Sequence, residues 1–372
     1  MSSRSERKSN IELLRIFAAL GVIILHYNNP SLGGGFENVT DLPVNQAIMT
    51  FLEVLFICAV NLYVIITGYF MSSSLKRDVL KPIELVTQMF VFEIVFYLIK
   101  EIPSGNPFSM ATLIGYFTPS YWFVFVYIAL YLVSPYINLM WKHLEKNKKK
   151  TLLVISLFLF SVYPIFWEII LNLFGEQIWG TDANSVYGFT QGVSTIGLFG
   201  SQGGYSIVNF VLMYLIGAYL KNSETKISQG KLFVLLMLNI ALIIAWTYAE
   251  KFITGNPINA TTAWNYENPL VISESVIIFL IFKNAKIKNS KIINKLAAAS
   301  FPSYLIHLNL LEYCGIADHV TKNPALMIVH IVVCVILIYI ISFIIFIIYG
   351  LIFDPIFSYI SSKWKTYRTY SV

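Results

Sequence analysis

The sequence predicts an all-α membrane protein whose chain crosses the bilayer about ten times. Hydrophobic residues make up 57% of the 372 residues and charged residues only 12%, about half the charged fraction of a typical soluble domain. The apolar runs last about 20 residues, the length that a helix needs to cross a bilayer. Strands of a membrane barrel would instead alternate polar and apolar residues over about ten positions. The composition therefore argues against a soluble enzyme, a coiled coil and a disordered chain.

Ten apolar segments are the predicted spans. They cover residues 11–28, 48–70, 83–100, 121–140, 151–171, 206–220, 231–249, 269–282, 296–313 and 325–350. We predict a single transmembrane domain over residues 1–357. A basic and aromatic tail follows over residues 358–372, and we expect it to lie on the inner membrane surface.

The connections between these spans alternate in charge. Of the 26 Lys and Arg residues, 22 fall before the first span, after the last, or in every second connection between them. The other connections hold only Lys100, Lys251 and Lys322, and Arg15 lies inside the first span. The positive-inside rule then predicts that both termini are cytoplasmic. The basic loops indicate topology and contact with anionic lipid, and not nucleic-acid binding.

The cysteines show no pattern that predicts a disulfide or a metal site. Cys58, Cys314 and Cys334 lie within apolar spans or at their ends, without the spacing of zinc ligands. We therefore predict that they are small buried hydrophobic residues and that the protein binds no metal. His330, in the last span, is interpreted as a lone core histidine.

The first span carries an arginine and a histidine on one helix face. Arg15 and His26 are 11 residues apart, which is about 20° beyond three full turns and a rise of roughly 16 Å. Ala18, Ala19 and Val22 lie on the same face, and small residues allow a helix or a ligand to pack closely. Alone, Arg15 would be read as snorkelling and His26 as interfacial. Together on one face, they predict a functional site.

Two further polar residues fall at a similar depth. Glu93 follows Lys81 by 12 residues, and His307 follows Lys295 by 12. If their helices converge on the first span, a carboxylate could orient His26 and hold its proton. The sequence does not say which helices touch, so this convergence is a hypothesis.

The arginine and histidine separated by ten residues resemble the hallmark of the acyltransferase-3 family of integral membrane acyltransferases. Four further segments are similar to motifs of that family: 10–15, 63–69, 121–135 (Tyr121-Trp122-Phe123, then Leu130 to Pro135) and 303–307. The resemblance extends from residue 10 to about residue 310. Thr67 stands where that family commonly has Ser, and Leu308 replaces an acidic residue that often follows the late histidine.

The resemblance implies an enzyme that transfers an acyl group, usually acetyl from acetyl-CoA, to a sugar hydroxyl of a cell-surface or exported polysaccharide. Acyl-CoA would be a co-substrate, and no bound cofactor is expected. The expected partners are the lipid bilayer and a polysaccharide or lipid-linked sugar acceptor. The composition, rich in Lys, Ile, Asn and Phe, suggests a multi-pass protein of a bacterial cell membrane.

The resemblance implies a role for individual residues of this chain. His26 is the predicted general base, with Arg15 and Glu93 as its catalytic partners, because histidine titrates near neutral pH. The anionic acyl-CoA is expected to bind four basic residues: Arg15, Lys76, Arg77 and Lys81. Candidates for stabilising the oxyanion or binding the acceptor are Asn61, Tyr63, Thr67, Trp122, Tyr127 and His307. A covalent acyl-enzyme remains open.

Two other functions remain as alternatives. A polysaccharide or lipid-linked sugar exporter would also be polytopic and carry charges inside its spans, although the sequence shows no inverted repeat. A non-catalytic scaffold would leave the shared face of Arg15 and His26 without an explanation.

Overall fold

The computed structural model describes residues 8–105, 109–117, 121–179, 202–224, 227–364 and 369–371. The described residues are 81% helical, which confirms the all-α prediction. The described helices are α1 Ser9–Asn28, α2 Pro43–Phe56, α3 Ala59–Met71, α4 Leu80–Glu101, α5 Met110–Phe117, α6 Trp122–His143, α7 Lys146–Leu157, α8 Tyr163–Trp179, α9 Ile207–Lys221, α10 Gln229–Thr254, α11 Pro269–Asn284, α12 Lys291–Leu296, α13 Ser300–Leu311, α14 Ile316–Val320 and α15 Pro324–Lys363. Two short strands, β1 Lys76–Asp78 and β2 Thr369–Ser371, complete the described elements.

Seven helical segments in the described part of the chain are long and apolar enough to cross a membrane. They are Ser9–Asn28, Pro43–Met71, Leu80–Glu101, Trp122–His143, Lys146–Ile170, Gln229–Thr254 and Pro324–Lys363. The protein is therefore a multi-pass membrane protein, but the count of ten is not confirmed. The other three predicted spans coincide with the shorter helices α9, α11 and α13. These have 15, 16 and 12 residues, against the roughly 20 that a straight crossing needs.

Helix α1 lies at the centre of the helix bundle and packs against α2, α3, α11, α13 and α15. Ala18 and Ala19 are 0% and 3% exposed, so their small side chains serve close helix packing. Gly21 has the same role, because a Cβ at this position would lie 2.5 Å from the Phe56 ring.

Helices α3 and α9 approach each other at two glycines. A Cβ at Gly68 would lie 2.1 Å from the carbonyl oxygen of Tyr214, and one at Gly217 would lie 2.2 Å from that of Ile65. Only glycine permits such an approach of two backbones. This contact fixes the position of α3, which carries several of the predicted site residues.

Hydrogen bonds join the start of α1 to the ends of α3 and α11. Lys8 Nζ donates to the Tyr69 hydroxyl at 3.0 Å, and Asn10 Nδ2 donates to the Phe282 carbonyl at 3.0 Å. We call this end of the bundle the basic end, because Lys8, Lys76 and Lys81 lie on it or beside it. The opposite end, where α1 ends and α6 and α9 begin, is called the aromatic end.

The C-terminal segment returns to the basic end. Helix α15 continues to Lys363, inside the predicted tail, and β2 then pairs antiparallel with β1. The Tyr370 hydroxyl donates a hydrogen bond to the carbonyl of Leu132 in α6. The described part of the tail is therefore attached to the helix bundle through a strand.

Candidate active site

One cavity of about 470 Å³ runs between the two ends of the bundle. Arg15 and Lys81 line it at the basic end, and His26 and Trp122 line it at the aromatic end. The complete lining is Arg15, Val22, Leu25, His26, Val60, Tyr63, Ile66, Thr67, Lys81, Leu85, Trp122, Phe123, Tyr127, Tyr205, Tyr266, Ala297, Ala298, Ser300, Phe301, Tyr304 and Phe346. The predicted pair therefore faces one space, as the helical spacing indicated.

Arg15 presents a partly accessible guanidinium to this cavity. Its side chain is 34% exposed, and its Nη1 atom lies 3.3 Å from the carboxylate of Glu12, whose side chain is 4% exposed. The guanidinium also lies over the Phe70 ring, with its carbon 5.7 Å from the ring centroid. Among the described residues, Nε and Nη2 of Arg15 have no hydrogen-bond partner, so they are available to an anionic ligand.

His26 contacts a second histidine, His307, which is fully buried. The planes of the two rings are 9° apart and their centroids 4.7 Å apart, so the rings meet edge to edge. Nδ1 of His26 faces Nε2 of His307, and Nδ1 of His307 lies 3.0 Å from the carbonyl oxygen of Ser303. The structure thus brings the late histidine of the predicted set directly to the first-span histidine.

The hydrogen-bond partners assign the tautomer of each ring. The Ser303 carbonyl only accepts, so Nδ1 of His307 carries the proton and its Nε2 is an acceptor. Nδ1 of His26 must then donate to that acceptor. Nε2 of His26 consequently carries a lone pair, which is the state required of a general base.

Aromatic rings crowd the aromatic end of the cavity. The Trp122 ring lies 4.4 Å from Tyr205 and 6.3 Å from Tyr266 between centroids, and the two tyrosine rings stack at 4.7 Å. The Tyr205 hydroxyl donates to the Tyr266 hydroxyl at 3.4 Å. Burial raises the pKa of both phenols, so both stay protonated and can donate. A flat apolar surface edged by hydroxyls suits a sugar ring.

Three further predicted residues line the wall between the two ends. The Tyr63 hydroxyl donates to the Arg15 carbonyl at 3.4 Å, and Thr67 Oγ1 donates to the Tyr63 carbonyl at 2.8 Å. Tyr127 stacks on Phe123, with ring planes 18° apart. Each therefore borders the cavity, but two of the three hydroxyl protons are already used by backbone carbonyls.

Asn61 was predicted to face the reacting groups, and the structure places it elsewhere. It is fully buried outside the cavity lining. Its Nδ2 donates to the Tyr266 carbonyl at 2.8 Å, and its Oδ1 accepts from Asn209 at 3.1 Å. A buried amide is stable only when it is hydrogen-bonded in this way. Asn61 therefore holds the backbone of Tyr266, which itself lines the cavity.

The predicted convergence of Glu93 on His26 is wrong. The Glu93 carboxylate contacts the Tyr121 hydroxyl, which also lies 2.9 Å from the Leu305 carbonyl. Glu93 does not line the cavity, and His307 occupies the place beside His26. The reason is the register of α4 against α13, which the sequence does not reveal.

The prediction that Arg77 binds acyl-CoA is also wrong. Arg77 is 3% exposed, and all three of its guanidinium nitrogens are bonded inside the protein. Nε donates to Ser134 at 2.8 Å, and the other two nitrogens donate to the carbonyls of Ser74, Lys76 and Met71 and to the Tyr214 hydroxyl. These five bonds match the five N–H donors of arginine, so none remains for a ligand.

The two predicted lysines differ in position. Lys81 lines the cavity with a side chain that is 60% exposed and bonded to Glu84 at 2.5 Å. Lys76 is exposed on β1 and does not line the cavity.

Several lining residues were not singled out as site candidates by number. Tyr205 and Tyr266 come from connections between spans, Ser300 is the first residue of α13, and Tyr304 faces the cavity one turn before His307. Tyr304 lies inside the 303–307 segment, so that motif could have identified it as a site residue. Tyr266 had no sequence signal, because its position depends on the hydrogen bond from Asn61.

Comparison with known proteins gives one result. The acyltransferase-3 family model, described as an acyltransferase domain, matches residues 8–347, nearly the whole chain. No curated protein and no solved structure matches the chain. The family match confirms the resemblance that the sequence motifs indicated.

Proposed function

Because the chain belongs to the acyltransferase-3 family, we propose that it moves an acyl group, most simply acetyl, from cytoplasmic acyl-CoA to a sugar hydroxyl. The proposed acceptor is a polysaccharide at the surface of a bacterial cell. The observation that carries this proposal is the cavity that joins Arg15 to His26, whose ring contacts His307. The basic end of the cavity carries positive charge and the aromatic end carries rings and hydroxyls. The donor is anionic and the acceptor is a sugar, so each end matches one substrate.

The basic end suits the anionic donor. Arg15 offers N–H donors that have no partner among the described residues, and Lys81 adds a second positive charge on the cavity wall. Phosphates bind most strongly to such charged donors. The rise from Arg15 to His26 is about 16 Å, so an extended donor held at Arg15 would direct its thioester towards His26.

His26 is the proposed general base for a direct transfer. Its Nε2 takes the proton of the acceptor hydroxyl while that oxygen bonds to the thioester carbonyl carbon. The carbon–sulfur bond then breaks, and the thiolate of CoA leaves and takes up the proton. The developing positive charge on His26 is shared with the acceptor nitrogen of His307, which is a positioning residue.

The aromatic end suits the acceptor. Trp122, Tyr205 and Tyr266 form a group of contacting rings in the cavity wall. Stacking holds a sugar ring, and the protonated phenols of Tyr205 and Tyr266 are donors for its hydroxyls. The phenol of Tyr266 accepts from Tyr205, so its own proton is free to stabilise an oxyanion.

The test compares surface polysaccharide from cells that carry wild type, His26→Gln or the control His143→Ala. His143 is exposed at the end of α6, outside the cavity. Proton NMR measures O-acyl groups, and the total surface polymer is quantified separately. We expect His26→Gln to lose O-acyl signals with an unchanged amount of polymer, and His143→Ala to match wild type.

Other results would contradict the proposal in different ways. Unchanged acylation with less polymer outside the cell would favour an exporter. No change in either quantity would show that His26 has no role in polysaccharide acylation. Immunoblots of the membrane fraction control for the amount of each variant.

A further inference from the structure

Three lysines gather at the basic end of the bundle around the side chain of Tyr69. Lys8 directly precedes α1, Lys221 ends α9, and Lys283 lies in the last turn of α11. The ammonium groups of Lys8 and Lys283 lie 5.3 Å and 5.9 Å from the centroid of the Tyr69 ring. Lys221 Nζ donates a hydrogen bond to the hydroxyl of Ser73, just after the end of α3, at 2.8 Å. We call Lys8, Lys221 and Lys283 the lysine triad.

No carboxylate among the described residues lies within ion-pair distance of the lysine triad. The ion pairs found there all involve other side chains. Lys283 donates to the carbonyls of Leu220 and Ser223 at 2.6 Å and 2.7 Å, and Lys8 and Lys221 each donate to one hydroxyl. An ammonium group has three N–H donors. Two donors on Lys8, two on Lys221 and one on Lys283 therefore have no partner among the described residues.

The stabilisation of helix ends explains only part of this arrangement. A positive charge is favourable at the carboxyl end of a helix, which accounts for Lys221 and Lys283. Lys8 instead lies at the amino end of α1, where the helix dipole is itself positive. Burial and, after it, the charge of Lys8 lower the pKa of Lys221 and Lys283, which lie just beyond the predicted spans. The three charges therefore destabilise one another, and an anion bound among them would remove this cost.

We propose that the lysine triad is a phosphate-binding site at the basic end of the bundle. Hydrogen bonds from charged N–H donors to phosphate are among the strongest in proteins. A phosphate group carries almost two negative charges and three acceptor oxygens, about one oxygen for each ammonium. Tyr69, which is only 6% exposed, forms the floor of the site.

Two molecules can supply this phosphate group, and the first is the donor nucleotide. Phe70 follows Tyr69 on α3, and the two rings meet edge to face with centroids 5.2 Å apart. The guanidinium of Arg15 lies over the Phe70 ring, 5.7 Å from its centroid. A donor held at Arg15 would therefore extend a further phosphate towards the lysine triad, an assignment that rests on the proposed function.

The second possible source is the headgroup of an anionic phospholipid. Lysines at the cytoplasmic surface of a membrane attract such headgroups, and the positive-inside rule places the basic end on that side. The phosphate site itself does not depend on the proposed function, because either source offers the same group to the same three ammoniums. The experiment therefore measures the two sources separately.

The test removes two charges of the lysine triad but keeps N–H donors at both positions. The full chain carries Lys8→Gln together with Lys221→Gln, and Lys283 is kept because it bonds two backbone carbonyls. The matched control carries Lys288→Gln together with Lys291→Gln, two exposed lysines in and before α12, which packs against α1. Calorimetry measures the binding of CoA to each protein in nanodiscs of phosphatidylcholine. Melting temperatures are measured with and without phosphatidylglycerol in the nanodiscs.

Each source predicts its own result. If the donor supplies the phosphate, we expect the double variant of the triad to bind CoA about tenfold more weakly than wild type. If the phospholipid supplies it, phosphatidylglycerol should raise the melting temperature of wild type and leave that of the double variant unchanged. The control pair should match wild type in both measurements. If the double variant does not fold, Lys8→Gln and Lys221→Gln alone should show the same changes to a smaller extent.

Two results would overturn the proposal. Equal CoA affinity and an equal effect of phosphatidylglycerol in all three proteins would show that the triad binds no phosphate, while the proposed function would stand. The same loss in the control pair would show that net charge alone explains the binding. A wild type that binds no CoA, but that phosphatidylglycerol stabilises through the triad, would support the phosphate site and contradict the proposed donor.

Discussion

The pairing of His26 with His307 gives each imidazole one defined proton. A hydrogen bond from His307 to the Ser303 carbonyl fixes the orientation of the His307 ring. The hydrogen bond between His307 and His26 then fixes the orientation of the His26 ring. Many general bases receive this orientation from a carboxylate. Here a neutral ring does so in a fully buried position, where an unpaired carboxylate would be costly.

We expect His307→Leu to lower kcat for acyl transfer by about 10²-fold, at the low end of the contribution of general acid–base catalysis, with little change in the KM for acyl-CoA. His307→Gln should keep part of the activity, because its amide oxygen can accept from Nδ1 of His26. Release of free CoA by purified protein with an acceptor sugar measures both. Equal losses in the two variants, or an effect on KM alone, would contradict a positioning role.

Substitutions of Arg15 and of Arg77 should have different effects. Arg15→Gln removes a charged donor from the cavity, so we expect the KM for acyl-CoA to rise about tenfold, equivalent to about 1.4 kcal/mol of binding free energy. Arg15→Lys should recover part of this affinity. Arg77→Lys should instead reduce the amount of folded protein, because one ammonium has only three N–H donors and leaves buried acceptors without partners.

Calorimetry with a non-hydrolysable acyl-CoA analogue measures donor binding directly. It distinguishes the role of Arg15 from that of Arg77. An unchanged affinity in Arg15→Gln would remove Arg15 from the donor site. A weaker affinity in stably folded Arg77→Lys would show that the buried guanidinium acts on the ligand after all.

At the scale of elements, the contact of α3 with α9 determines where the wall of the cavity lies. Tyr63 and Thr67 line the cavity from α3, and Gly68 and Gly217 bring the two backbones together. Asn61, on the same helix, holds Tyr266 at the aromatic end. One helix thus positions groups at both ends of the cavity.

We expect Gly68→Ala and Gly217→Ala to destabilise the protein by about 1–3 kcal/mol each, the usual cost of overpacking. The clash is with backbone carbonyl oxygens at 2.1 and 2.2 Å, which have little room to move. Gly230→Ala in α10 is the control, because a Cβ there would meet nothing within 4 Å. Melting temperatures in detergent measure the difference, and equal melting of all three variants would contradict the close approach.

At the scale of the whole molecule, the helix directions agree with the alternation of charge along the sequence. The start of α1 and the ends of α3 and α11 meet at the basic end, as hydrogen bonds from Lys8 and Asn10 show. The C-terminal strand returns to the same end. The predicted cytoplasmic side is therefore one end of the bundle, with the donor mouth of the cavity on it.

Single cysteines introduced into a chain without its three native ones test this orientation. Asn256→Cys, in the exposed connection after α10, should react with a membrane-impermeant maleimide in intact cells. Lys288→Cys, in the exposed connection after α11, should react only after permeabilisation. The reverse pattern would place the basic end outside, against the positive-inside rule, and would separate Arg15 from cytoplasmic acyl-CoA.

The sequence by itself determined the membrane class, the location of the helices and the shared face of Arg15 and His26. These depend on hydropathy and helical periodicity, which are local properties of the chain. The tertiary structure alone decided that His307, and not Glu93, contacts His26. It also decided that the N–H donors of Arg77 are all bonded inside the protein and that Tyr266 lines the cavity. It also decided that His330, interpreted from the sequence as a lone core histidine, contacts Tyr27 and Cys334. Each of these depends on which helices pack together and in which register. The free energy that decides the packing comes from contacts between residues far apart in sequence.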